Sequence, residues 1–165
     1  MTVAAPTPGP RAASIDSSLL MSGTQSVPPM STLLDYRANG ETVLVVDDEE
    51  HVRALLETFL ARFGFKVMQA SDGAAAVATF VANREAVKLV ITDLRMPKLD
   101  GFGLIHIFRE LAPTVPIIAM SGIYSELKVE EFAAKGVTQF LYKPFSVAEL
   151  TVALRATMGE GTRPA

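Results

Sequence analysis

Three carboxylates and one lysine stand where apolar runs of this chain stop. Asp47 and Asp48 close TVLVVDD, Asp93 closes VKLVITD, and Lys143 closes TQFLYK. In an open α/β sheet such strand ends gather along one edge, where ligands bind. Acids brought together repel one another and attract a divalent cation. Carboxylate oxygens suit Mg²⁺, which keeps part of its water shell and bridges to phosphate groups. A lysine facing them offers a point charge to a phosphoryl oxygen. Ser121 closes IIAMS and brings a hydroxyl that can donate to another such oxygen. The pattern points to phosphoryl chemistry on a carboxylate.

Each residue alone has a plainer reading. Acids are favoured at helix N-termini, so Asp47–Asp48 reads equally as a cap, with Glu49 and Glu50 as solvated first-turn residues. Asp93 is also a turn former ahead of Pro97, Ser121 a turn hydroxyl and Lys143 a loop lysine. Their joint placement favours a site. A dinucleotide site is excluded, because DDEEHV rather than a glycine-rich turn follows the first strand, and Gly101–Phe102–Gly103 lacks the third glycine. His51 and His106 fall within predicted helices and read as surface residues.

The elements that must position these groups alternate from residue 42 onward. The apolar runs predict strands over 42–47, 65–70, 87–93, 116–121 and 137–143. Helical spacing of Val52, Leu55, Leu56, Phe59, Leu60 and Phe63 predicts a first helix ended by Gly64. A second, capped by Ser71 or Asp72, carries Val77, Phe80 and Val81. A third opens at Asp100–Gly101, and a more charged fourth covers 124–135. The last, over 146–158, starts with a capping box of Ser146 and Glu149. Five β–α units argue for a flavodoxin-like (βα)5 doubly wound parallel sheet, strand order 2-1-3-4-5. In that order strands one and three are neighbours, so Asp47, Asp48 and Asp93 share a pocket.

The chain has 165 residues with 49% hydrophobic and 20% charged, enough for one globular core. A net charge of −3 gives no electrostatic reason to expect nucleic acid or an acidic membrane as partner. With no cysteine, disulfides and thiolate metal sites are excluded. No apolar run approaches the ~20 residues that span a bilayer, and no secretory signal is read, so a cytoplasmic protein is expected. Residues 1–40 hold five of the ten prolines and few charges, and a disordered tail is expected there. Within it, Ser18–Met21 and Thr32–Tyr36 are small apolar islands able to dock on a partner or on the domain. Met21 and Met30 offer alternative starts. Residues 41–158 form the expected domain and 159–165 a short C-terminal tail.

VLVVDDEE, VITDLRMPKLDGFGL, IIAMSG and FLYKPF together resemble the receiver domain of two-component response regulators, over about residues 41–158. The resemblance implies that Asp93 accepts a phosphoryl group from a phosphohistidine on a histidine kinase or histidine phosphotransfer protein. It implies Mg²⁺ held by Asp48, Asp93 and the backbone carbonyl of Arg95, with Asp47 acting through water. Ser121 and Lys143 would take phosphoryl oxygens, and the Lys143–Pro144 bond would be cis. Phe140 would follow Ser121 inward and reshape the face of helix four, strand five and helix five, where a downstream protein docks. Arg95 and Ile123 flank the path of hydrolytic water, and their bulk implies a persistent phosphorylated state. Too few residues follow Met158 for an output domain, so a stand-alone receiver without nucleic-acid binding or membrane insertion is expected.

Two alternatives share parts of this pattern. A haloacid dehalogenase-type phosphatase also uses an aspartate nucleophile, Mg²⁺ and a lysine. It wants a second aspartate two residues beyond the first, where this chain has Glu49 or Glu50. A non-phosphorylated scaffold on the same fold is the other.

Overall fold

The computed structural model of the protein describes residues 31, 35–98, 101–122 and 129–161. Five strands, β1 (Thr42–Val46), β2 (Lys66–Ala70), β3 (Val87–Asp93), β4 (Ile117–Ser121) and β5 (Val137–Tyr142), form one parallel sheet in the order β2-β1-β3-β4-β5. The expected strand order and fold class are those observed. Helices α1 (Glu50–Arg62), α2 (Gly73–Ala82), α3 (Gly101–Leu111), α4 (Val129–Ala134) and α5 (Val147–Met158) connect and follow the strands.

The three inner strands, β1, β3 and β4, are apolar on both faces because both faces are covered. Successive side chains of a strand point to opposite sides. Val43, Val45, Leu89, Ile91, Ile118 and Met120 therefore enter one core, with Leu56 and Leu60 of α1 and Leu150 and Leu154 of α5. Leu44, Val46, Val90, Ile117 and Ala119 enter the other, with Phe80 of α2 and Leu104, Ile105 and Phe108 of α3.

The helix ends follow local chemistry. Asp72, one of the two expected caps, accepts from the Ala75 N–H and opens α2. The capping box of Ser146 and Glu149 is formed at α5. The expected opening residue Asp100 of the third helix and the first part of the fourth, residues 124–128, lie outside the described residues.

The packed unit reaches ahead of the boundary expected at residue 41. Tyr36 is buried, and its ring meets Phe63 edge-on at 5.9 Å and stacks on Phe65 at 6.0 Å. The Ala38 N–H donates to the Phe63 carbonyl at 2.7 Å. The second apolar island thus docks on the domain through its last residue. Its residues 32–34, and the whole island at 18–21, lie outside the described residues.

Candidate phosphoryl-transfer site

The strand order brings the ends of β1, β3, β4 and β5 to one edge of the sheet. Val46 pairs with Thr92, so Asp47 and Asp93 leave adjacent strands side by side. Asp93 in turn pairs with Met120, which puts Ser121 at the next strand end. Asp47, Asp93 and Ser121 are all buried.

Lys143, one residue past β5, joins the two acids. Its Nζ donates to Asp47 Oδ2 at 2.6 Å and to Asp93 Oδ2 at 2.8 Å, and lies 3.6 Å from Glu49 Oε1. The Lys143 N–H donates to the Ser121 carbonyl at 2.8 Å, so the lysine and the serine share one backbone link. The Lys143–Pro144 bond is cis.

The remaining carboxylate oxygens are held by main chain. Asp47 Oδ1 accepts from the Glu49 N–H and Asp93 Oδ1 from the Arg95 N–H, each at 2.9 Å. Beyond Arg95 the chain returns over Leu94. Gly101 opens α3 there, with its N–H on the Leu94 carbonyl at 3.0 Å. A Cβ at Gly101 would overlap the Leu94 backbone, so only glycine lets α3 start this close to the end of β3.

Burial pushes the Asp47 carboxyl above its usual range, against the hydrogen bonds from Lys143 and the Glu49 N–H. For Lys143 burial pulls down, but its bonds to Asp47 and Asp93 outweigh it, so the ammonium is held above the usual lysine value. The lysine is thus the fixed charge of the pair.

The residues fit a hard divalent cation. Asp47, Glu49 and Asp93 each offer a carboxylate oxygen, and these oxygens lie within 4.8 Å of one another. Here the structure differs from the expected set. Asp48 is exposed and stands outside this group, whereas Glu49 enters it. Glu49 occupies the N-cap position of α1 rather than its first turn. Asp47 is buried, whereas Asp48 and Glu49 are both exposed, and of these two it is Glu49 whose carboxylate closes on Asp47 and Asp93.

Arg95, two residues after Asp93, has an exposed side chain, Phe140 is half-buried in β5, and Ile123 lies outside the described residues. The Phe140 ring meets Phe132 of α4 edge-on at 6.2 Å, and Phe132 meets Phe102 of α3 at 5.3 Å. Among the described residues no helix is long and apolar enough to cross a membrane.

The family model for the response regulator receiver domain matches residues 43–155. The chain belongs to this family. The curated relative "Probable transcriptional regulator ycf27" of Porphyridium aerugineum is 37% identical over 120 residues, 72% of this chain and 48% of that protein. The chain thus spans about half the length of the curated relatives it matches. Among solved structures, the chemotaxis protein CheY4 of Vibrio cholerae superposes with a TM-score of 0.66 at 30% identity, covering 71% of this chain and 98% of that one. The CheX–CheY–BeF3–Mg²⁺ complex from Borrelia burgdorferi gives 0.68 at 26% identity, covering 70% and 87%. Membership of the receiver family decides against the phosphatase weighed from the sequence.

Proposed function

We propose that this domain is a phosphorylation-operated switch in which Asp93 is the acceptor. One observation carries the reading: an ammonium bridges two buried carboxylates on adjacent strand ends, one of which is the last residue of β3. Asp93 Oδ attacks the phosphorus of a phosphohistidine on a histidine kinase or phosphotransfer protein. The new O–P bond forms as the P–N bond breaks, and the leaving imidazole keeps the electron pair and takes up a proton. Carboxylate oxygens of Asp47, Glu49 and Asp93, with Asp48 at the solvent side, would hold Mg²⁺, which would supply positive charge for the phosphoryl oxygens. The chain's own part is positioning and electrostatic stabilisation.

Lys143 exchanges its bond to Asp93 Oδ2 for one to a phosphoryl oxygen, and the Ser121 hydroxyl donates to another. Phe140 then moves inward, and the population of the active arrangement rises. The output is protein contact on the side of α4, β5 and α5. The domain catalyses its own phosphorylation and dephosphorylation and no other turnover. Arg95 and Ile123 shield the acyl phosphate from water, and the work is done in the cytoplasm.

Labelling from a phosphorylated kinase or from acetyl phosphate with Mg²⁺ tests the reading. The wild-type chain should gain one hydroxylamine-sensitive phosphoryl group and Asp93→Asn none. Equal labelling of both would remove Asp93 as acceptor, and no labelling of either would favour a scaffold. Shielding is tested separately by label loss: Arg95→Asn and Ile123→Ala should both shorten its lifetime.

A further inference from the structure

Asp47 lies one residue past β1, and its N–H still donates to the Ala70 carbonyl at 3.2 Å. Its carbonyl accepts from Arg53 Nη1 of α1 at 2.8 Å. Arg53 Nε donates to Gln69 Oε1 at 3.3 Å, and Gln69 Nε2 donates to Glu57 Oε2 at 2.7 Å. Arg53 and Glu57 are four residues apart and share a face of α1. Gln69, near the end of β2, bridges them. A second cation therefore reaches the acidic nest through the main chain, not through a carboxylate.

We propose that Arg53 is a positioning residue for the metal nest. Through the Asp47 carbonyl it fixes the peptide joining Asp47 to Asp48, and so the turn that brings the Asp47 and Glu49 carboxylates together. Gln69 and Glu57 hold its guanidinium in place. The inference rests on the reading that this nest takes Mg²⁺. Carboxylate oxygens within 4.8 Å of one another repel, and a turn free to relax would spread them. Arg53 holds it against that spreading, as a partner behind a metal ligand does. A planar fork satisfies the carbonyl and Gln69 together, which a single ammonium does not reproduce.

The sign of one measurement separates this role from a purely electrostatic one. A cation that acts only by its charge opposes Mg²⁺, and its removal tightens binding. A positioning residue gives the reverse. Mg²⁺ is titrated into the full chain and into Arg53→Ala, Arg53→Lys and Gln69→Ala, following the backbone amides of Asp48 and Glu49 by NMR. Urea unfolding of each variant checks that it is folded. Arg53→Ala should weaken Mg²⁺ binding about tenfold or more. Arg53→Lys, which keeps the charge, should lose most of the same factor, and Gln69→Ala a smaller one. Unchanged or tighter binding in Arg53→Ala overturns the inference. Should that variant not fold, unchanged affinity in both others does so. A wild-type chain that binds no Mg²⁺ sinks the underlying reading instead, whereas one that binds it and takes label leaves Arg53 alone on trial.

Discussion

One ammonium holds together two buried carboxylates, and burial pushes that of Asp47 above its usual range. Lys143 occupies oxygens of Asp47 and Asp93 that a bound divalent cation would also use. Its removal therefore has opposite effects on binding and on chemistry. In Lys143→Met, Mg²⁺ affinity should rise, because one positive charge no longer competes. The rate of labelling from acetyl phosphate should fall by about a hundredfold or more, the cost of losing a preorganised donor at the site of charge development. Amide NMR titration reads the first effect and the initial rate of label uptake the second. Asp47, Asp93, Ser121 and Lys143 were legible in the sequence because each breaks an apolar run at a strand end. Glu49 was not, since its side chain stays exposed and a run of four acids does not show which one closes on Asp47 and Asp93. Arg53 reads as an ordinary exposed helix residue, and its partner is a backbone carbonyl that no residue pattern announces.

The helix ends show the same division. The capping box of α5 could be read directly from Ser146 and Glu149, three residues apart. Its bonds from the Ser146 N–H and hydroxyl hold the Glu149 carboxyl below its usual value of 4.5. A carboxylate so depressed contributes stability that is fully present above its ordinary range and is lost as the pH falls through its folded value. The stability difference between the wild type and Glu149→Gln should thus be constant near neutrality and shrink below about pH 4.5, as urea unfolding at several pH values would show.

Arg109 was beyond such reading. From the end of α3 its guanidinium donates to the carbonyls of Ala112, Pro113 and Val115, and across to those of Lys135 and Gly136 after α4. Two of these partners lie 26 and 27 residues away, so the pattern of α3 alone shows only a terminal cation. Gly136, at φ +85°, leaves room for it, since a Cβ there would lie 2.6 Å from Arg109 Nε. Lysine cannot serve carbonyls spread around a plane. Arg109→Lys should cost about 2 kcal/mol in chemical denaturation, the worth of charged hydrogen bonds left incomplete.

Over the whole molecule, alternation of apolar runs and helical spacing was enough to give the sheet order, because a strand covered on both faces leaves few arrangements. The extent of the packed unit was not legible. Tyr36 follows a proline-rich, weakly apolar stretch, and its burial depends on Phe63 and Phe65, which the first helix and second strand bring together. A tyrosine with this degree of burial is part of the core. Tyr36→Ala, and a chain trimmed to begin at Gly40, should each lose about 3 kcal/mol in urea unfolding relative to a chain beginning at Asp35. Equal midpoints would mean that the core begins at β1.

The sheet also works as a bulkhead between two compartments. Arg53 and α1 stand on one side, and Phe140, Phe132 and Phe102 form their ladder of rings on the other. Asp93 sits at the end of β3, on the rim between them. The proposed output face takes α4 from the second side and α5 from the first, so it wraps the β5 edge and one charge at the rim can be felt in both compartments.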